Sequence, residues 1–144
     1  MKKRSIVVLS GIILILLIVL YIGNVKPQIK YEVFNAYSGY HAVLMLNQNS
    51  DYSLELISNR GQLEKKFCGK LSNHEIRKIK KSLLSNGFIT LEEDLSDYSL
   101  LDNSTEELHV KLGVLTLNTG GYGVSDQRFR KIVKDLESLI ASHR

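Results

Sequence analysis

The chain has 144 residues, of which 44% are hydrophobic, and this is enough for one domain with a short additional segment. Its 19 Lys and Arg residues exceed its 15 Asp and Glu residues, but three of the basic residues stand together as Lys2, Lys3 and Arg4. The rest of the chain is nearly neutral, so no nucleic-acid partner is expected. The single cysteine, Cys68, excludes an intramolecular disulfide.

Residues 6–22 form an uncharged apolar run that is interrupted only by Ser10 and Gly11. Roughly 17–25 apolar residues are needed to cross a bilayer as a helix, and a basic flank such as residues 2–4 is retained in the cytoplasm. A cleavable signal has a shorter apolar region of about 7–15 residues, followed by small residues.

These features predict a single-pass protein of the cell membrane. We expect a cytoplasmic basic tail at 1–5, a transmembrane signal anchor at 6–23, a linker at 24–30 and an extracytoplasmic domain at 31–144. A cleaved signal peptide is the alternative interpretation of the apolar run.

Four segments in the first half of the predicted domain have the composition of β-strands, namely residues 29–34, 40–46, 52–58 and 63–68. Tyr52, Leu54 and Leu56 alternate with polar residues, as in a half-buried antiparallel strand. Polar turns at 47–51 and 59–61 connect the later strands. The sequence therefore predicts an antiparallel meander in which Cys68 is a half-buried, unreactive residue.

A helix is predicted to begin after Ser72, because Glu75 completes a capping box. Its apolar stripe consists of Ile76, Ile79, Leu83 and Leu84, and Asn86-Gly87 provides a stop signal. The basic residues between the apolar positions are interpreted as a solvated face, with a docking patch as the alternative.

The remaining elements predict a short extended piece at 88–91, an acidic loop at 92–97, and a hairpin with strands 107–112 and 114–118. The glycine-rich stretch 120–123 is expected to end the sheet, and Ser125 is predicted as the N-cap of a final amphipathic helix. Strands, helix, strands and helix in this order predict an α+β fold, with antiparallel hairpins carrying two helices on one face.

No catalytic, cofactor-binding or metal-ligating residue is predicted. The acidic loop lacks the ligand spacing of an EF-hand, and His41, His74, His109 and His143 form no zinc motif, although His41 and His109 lie in predicted strands that can meet. The stretch 120–123 precedes a helix N-terminus, where anion binding is the alternative to a plain turn.

Two turn-like segments present tyrosines among small residues and are candidate interaction loops. The first contains Tyr37 and Tyr40, and the second contains Gly121 and Tyr122. Rigid aromatic side chains on an adaptable backbone are favoured contacts at protein interfaces.

A family resemblance rests on Ser38-Gly39-Tyr40, on Leu71-Ser72-x-x-Glu75, on Asn86-Gly87-Phe88, and on the hairpins, acidic loop and closing helix around them. In this order the elements resemble a class of small bacterial envelope domains of unknown function and, more loosely, the emfourin-type inhibitors of thermolysin-like metalloproteases. The chain has Tyr37-Ser38-Gly39-Tyr40 where those inhibitors have a Gly-Gly-Phe opening, and no inhibitory residue carries over. The resemblance implies a domain that is not an enzyme.

The function expected from the sequence is therefore a membrane-anchored extracytoplasmic module that binds or inhibits an envelope protein. A small envelope enzyme, or an anion- or ligand-binding domain, is the alternative.

Overall fold

A computed structural model describes residues 11–13, 16–17, 21, 24–58, 60–100 and 104–141. Four strands come first: β1 (Gln28–Asn35), β2 (Tyr40–Leu46), β3 (Asp51–Ile57) and β4 (Leu63–Lys70). Helix α1 (Asn73–Ser85) and a short 3-10 helix (Phe88–Thr90) follow, and then β5 (Thr105–Leu112), β6 (Leu115–Tyr122) and helix α2 (Gln127–Ala141). The predicted α+β class is confirmed, and β1 begins inside the segment predicted as a linker.

In the part of the chain that the structure describes, six strands form one antiparallel sheet in the order β4-β3-β2-β1-β5-β6. Strand β1 is central because it pairs with β2 on one side, where Tyr31 faces Leu44, and with β5 on the other, where Tyr31 faces Leu108. The first hairpins thus form the predicted meander, and the hairpin of β5 and β6 extends it from the opposite edge of β1.

Alternation along the strands gives the sheet two different faces. The inner face carries the apolar side chains that pack with helices α1 and α2: Ile29, Tyr31, Ala42, Leu44, Leu46, Tyr52, Leu54, Leu108, Val110 and Leu112. The outer face carries exposed or half-buried polar side chains, including the pairs of Lys30 with Glu32 and of Lys66 with Glu55, each at 2.6 Å. Cys68 belongs to this face and is exposed, so the prediction that it is half-buried is wrong.

Helix α1 begins with the predicted capping box: the Glu75 amide donates to the Ser72 hydroxyl, and the Ser72 amide donates to the Glu75 carboxylate. Its buried residues are Ile76, Ile79, Ser82 and Leu83. Leu84, which was expected in the stripe, is exposed. Ser82 takes its place because its hydroxyl donates to Asp135 of α2 at 2.6 Å, which satisfies a polar group between the helices.

Helix α2 is capped by Asp126 and not by the predicted Ser125. The Asp126 carboxylate accepts from the amides of Arg128 (2.8 Å) and Phe129 (3.0 Å), which is the arrangement of an N-cap. The Ser125 hydroxyl instead donates to Asp97. Spacings of three and four in the sequence predict an apolar stripe of Phe129, Ile132, Val133, Leu136, Leu139 and Ile140 on α2. The first four are buried and Leu139 is half-buried, and the side chain of Ile140 lies outside those that the structure describes.

The last strand is longer than the predicted 114–118, because Gly120, Gly121 and Tyr122 of the glycine-rich stretch belong to β6 and pair with β5, and the sheet ends within this stretch. Residues 92–97, called here the acidic segment, run along the other edge of this stretch. The Leu95 amide donates to the Gly120 carbonyl at 2.7 Å, and the Asp97 amide donates to the Tyr122 carbonyl at 2.8 Å. The predicted extended piece before this segment is the 3-10 helix, which begins at Phe88 after the left-handed Gly87.

The predicted transmembrane helix must be corrected. Among the described residues, no helix is both long enough and apolar enough to cross a membrane. Residues 6–10, 14–15, 18–20 and 22–23 of the predicted span lie outside the described residues. The single-pass anchor at the cell membrane, and the cytoplasmic and extracytoplasmic sides assigned from it, are therefore not supported.

Candidate functional site

A cleft separates the inner face of β1 and β2 from helix α2 at the end of the sheet where the β1–β2 turn lies. It consists of two adjoining chambers with volumes of about 220 Å³ and 440 Å³. The inner chamber is lined by Tyr31, Val33, Tyr40, Ala42, Leu44, Leu54, Glu137 and Ala141. The outer chamber shares Tyr31, Val33, Tyr40 and Glu137 with it and adds Glu106, Arg130, Val133 and Lys134.

The inner chamber exists because a small side chain stands where the sheet otherwise carries large ones. Ala42 points to the inner face and pairs with Val33 on one side and with Leu56 on the other. The neighbouring inward residue of the same strand is the much larger Leu44. An alanine in this position leaves space between the strands and α2, and this space opens beside Tyr40.

A buried polar network forms one wall of the cleft. Glu106 points to the inner face of β5 and is 4% exposed. The Tyr31 hydroxyl donates to one Glu106 carboxylate oxygen, and the Arg130 guanidinium donates to the other, both at 2.6 Å. Arg130 also donates to the Val124 carbonyl. A buried carboxylate needs such partners, and the network therefore holds α2 against β1 and β5.

Two titratable groups at the cleft have shifted pKa values. Burial raises the pKa of Tyr31, and its hydrogen bond to the Glu106 carboxylate raises it further. Glu137 lies at the exposed rim, where partial burial of its carboxyl raises the pKa, with repulsion from Glu106 in the same direction and attraction to Arg130 opposing both. Among the described residues, the Glu137 carboxylate has neither a hydrogen bond nor an ion pair.

The first predicted interaction loop lies beside this cleft. Tyr40 lines both chambers and is 51% exposed, and Tyr37 in the adjoining turn is 85% exposed. A hydrogen bond between backbone and side chain stabilises the turn, since the Ser38 amide donates to the Asn35 side-chain oxygen at 2.9 Å. The structure therefore places Tyr40, the first residue of β2, at the mouth of the cleft and Tyr37 in the exposed turn next to it.

The second predicted loop lies two strands away from β1, in β6, and the acidic segment covers it. A side chain at Gly121 would lie within 2.8 Å of the Ser96 amide, so glycine is required for this close approach. Tyr122 is half-buried, and its ring stacks on Tyr98 at a centroid distance of 6.0 Å. The two predicted loops therefore share one end of the sheet but do not form one site.

The two strand histidines do not meet, although both lie on the outer face. His41 is paired with Glu32 at 2.8 Å, whereas His109 contacts Asn118 at 2.8 Å and Glu107 at 3.3 Å. Within the part of the chain that the structure describes, no group of three or more His, Cys, Asp or Glu side chains is arranged to hold a metal ion.

Sequence reasoning did not identify Glu106, Arg130 and Glu137 as site residues. One signal was present: Glu106 occupies an inward position in a strand whose next inward residues are Leu108, Val110 and Leu112. A carboxylate in such a row must find a partner in the core, which in this fold is Arg130.

Comparisons with models of known protein families and with curated proteins found no match for this chain. The fold and the cleft themselves define its class, a two-layer α+β domain with a cleft between sheet and helix that has a mostly apolar inner chamber and a charged outer chamber. The similarity to emfourin-type inhibitors stays a prediction.

Proposed function

We propose that this chain is a protein-binding module without catalytic activity, and that the cleft between β1, β2 and α2 receives a side chain of its partner. The observation that carries the proposal is the position of Tyr40, which lines both chambers while half of its surface remains exposed. An aromatic residue at the mouth of an apolar pocket is a typical anchor of a protein interface.

The size of the inner chamber supports a side chain as the occupant. Its volume of about 220 Å³ is below the roughly 300–1,000 Å³ of sites that bind cofactors or drug-sized molecules. Its lining is mostly apolar, with Val33, Ala42, Leu44 and Leu54 as its aliphatic part. Inhibition of the partner is included in this proposal, because a module that fills its cleft with a loop of an enzyme also obstructs that enzyme.

Selection from a displayed library of random peptides tests the proposal. The wild-type chain should enrich a consensus of peptides, and Ala141→Phe should lose it, because residue 141 lines the inner chamber at an exposed position where a larger side chain is tolerated. Val114→Phe is the matched control, since Val114 is 83% exposed in the β5–β6 turn and lies outside the cleft. Equal enrichment by the wild type and Ala141→Phe would refute the cleft as the binding site.

A further inference from the structure

The inner chamber combines an apolar lining with a single charge. Among the described residues that line the inner chamber, Glu137 alone carries a charge at neutral pH, since the other lining residues are aliphatic residues and two tyrosines. An occupant that follows the aliphatic floor from Leu54 to Val33 therefore meets one carboxylate at the rim. This arrangement is polar at one end and apolar along its length.

The other charges near the cleft do not neutralise Glu137 in the inner chamber. The Arg130 guanidinium is engaged by the Glu106 carboxylate at 2.6 Å and by the Val124 carbonyl. Lys134 lines the outer chamber and has no ion pair among the described residues. The attraction of Arg130 thus acts on Glu137 only from a distance, and Glu137 has no ion pair among the described residues. A partly desolvated carboxylate in this situation has an unfavourable free energy that a bound cation relieves.

We propose that the cleft binds a lysine or arginine side chain of a partner protein, with its aliphatic stem in the inner chamber and its cation at Glu137. This inference rests on the proposed function and specifies the residue that the partner supplies. Long basic side chains bury their stems along apolar surface while the charged end stays near water, which matches an apolar chamber with an acidic rim.

Other occupants fit the lining less well. An acidic side chain would bring a second negative charge to Glu137, close to the buried Glu106. A purely apolar side chain would fill the chamber but would leave the Glu137 carboxylate desolvated and unpaired. The preference between a basic and an apolar side chain of equal length therefore decides the proposal.

The test uses three pentapeptides, Ala-Ala-X-Ala-Ala, in which X is lysine, norleucine or glutamate, titrated into the whole chain and followed by NMR. Norleucine has the stem of lysine without its charge. We expect the lysine peptide to bind about fivefold more tightly than the norleucine peptide, the size of an exposed ion pair, and the glutamate peptide to bind most weakly.

Glu137→Gln should abolish the preference for lysine over norleucine and leave the affinity for norleucine unchanged. The matched control is Glu64→Gln, because Glu64 is an exposed carboxylate on β4, outside the cleft, and this change should preserve the preference. Both substitutions remove a charge at an exposed position, so thermal unfolding should show that both variants fold.

The preference should also fall as the pH is lowered, because protonated Glu137 no longer attracts a cation. The groups that face Glu137 are Tyr31 of β1, Tyr40 of β2, Glu106 of β5, and Arg130 and Lys134 of α2. Burial raises the pKa of Glu137 above the ordinary 4.5, so the preference should begin to decline at a higher pH than for an exposed glutamate.

The outcomes separate this inference from the proposed function. Equal binding of the lysine and norleucine peptides, or a lysine preference that survives in Glu137→Gln, would overturn the inference while the cleft remained a binding site. Absence of binding by all three peptides at millimolar concentration would overturn both proposals.

Discussion

The β1–β2 turn and the end of β6 carry similar sequences and have different surroundings. Each places a tyrosine within two residues of a glycine at the same end of the sheet, yet Tyr37 is 85% exposed whereas Tyr122 is half-buried and stacked on Tyr98. The turn connects β1 and β2, and each of these strands has a neighbouring strand on both sides. No unpaired strand edge therefore lies beside the turn, and no other segment is needed to cover it. Strand β6 has an edge, and the acidic segment covers part of it.

The difference shows that the topology of the sheet, and not the local composition, decides which aromatic turn is available to a partner. Unpaired strand edges are a liability that proteins cover or interrupt. The acidic segment does this for β6 and removes Gly121 from the surface that can bind. Substitutions in the two regions test this contrast between the cleft with the β1–β2 turn, which is open to a partner, and the edge of β6, which the acidic segment covers.

The largest effect is expected at the polar wall of the cleft. Arg130→Met leaves the buried Glu106 carboxylate without its cation, and the free energy of unfolding should fall by about 3 kcal/mol in chemical denaturation. Adding Glu106→Gln should restore part of the loss. Arg128→Met is the control, because its pair with Asp126 is exposed, and it should cost below about 1 kcal/mol. Equal losses for the two arginine variants would contradict the role assigned to the network.

On the covered side, Gly121→Ala should reduce the free energy of unfolding by about 1–3 kcal/mol, since the new side chain meets the Ser96 amide at a φ of 144°. Gly61→Ala is the control that separates the strain of a positive φ from the steric clash of the added side chain. Gly61 also has a positive φ, but nothing lies within 4 Å of the added carbon, and the loss should be smaller. If Gly61→Ala proved the more damaging change, the acidic segment would not be packed against β6.

Much of the fold could be predicted because it depends on local patterns. The alternation in β3, the Ser72–Glu75 capping box and the periodicity of α2 each correspond to an element that the structure contains. The cleft could not be predicted, because it depends on Ala42 facing α2 and on Glu106 meeting Arg130 across 24 residues. The course of the acidic segment was missed for the same reason, since its partners lie in β6.

A smaller effect distinguishes the two candidate caps of α2. Asp126→Ala should lower stability by about 1 kcal/mol, whereas Ser125→Ala should have less effect. The hydrogen bond from the Phe129 amide holds the pKa of Asp126 below the ordinary 3.8, so the carboxylate stabilises the fold at neutral pH. This contribution is lost as the pH falls below about 3.8, and the difference between the wild type and Asp126→Ala should shrink there. A larger loss for Ser125→Ala would contradict the assigned cap.

The smallest effect is expected at the open turn. Tyr37→Ala should change the free energy of unfolding by less than about 0.5 kcal/mol, because the side chain is 85% exposed. Tyr122→Ala removes the stack on Tyr98 and should cost about 1 kcal/mol. Thermal unfolding of both variants measures the contrast directly, and a costly Tyr37→Ala would mean that the turn serves the core.

Methyl NMR tests most directly whether the cleft is the binding site, because adjacent residues of β2 face opposite sides of the sheet. Ala42 faces the cleft, while Val43 and Met45 face outward. Addition of the peptide Ala-Ala-Lys-Ala-Ala should shift the methyl resonances of Val33 and Ala42 and leave those of Val43 and Met45 unchanged. Shifts confined to Val43 and Met45 would place binding on the outer face and contradict the account.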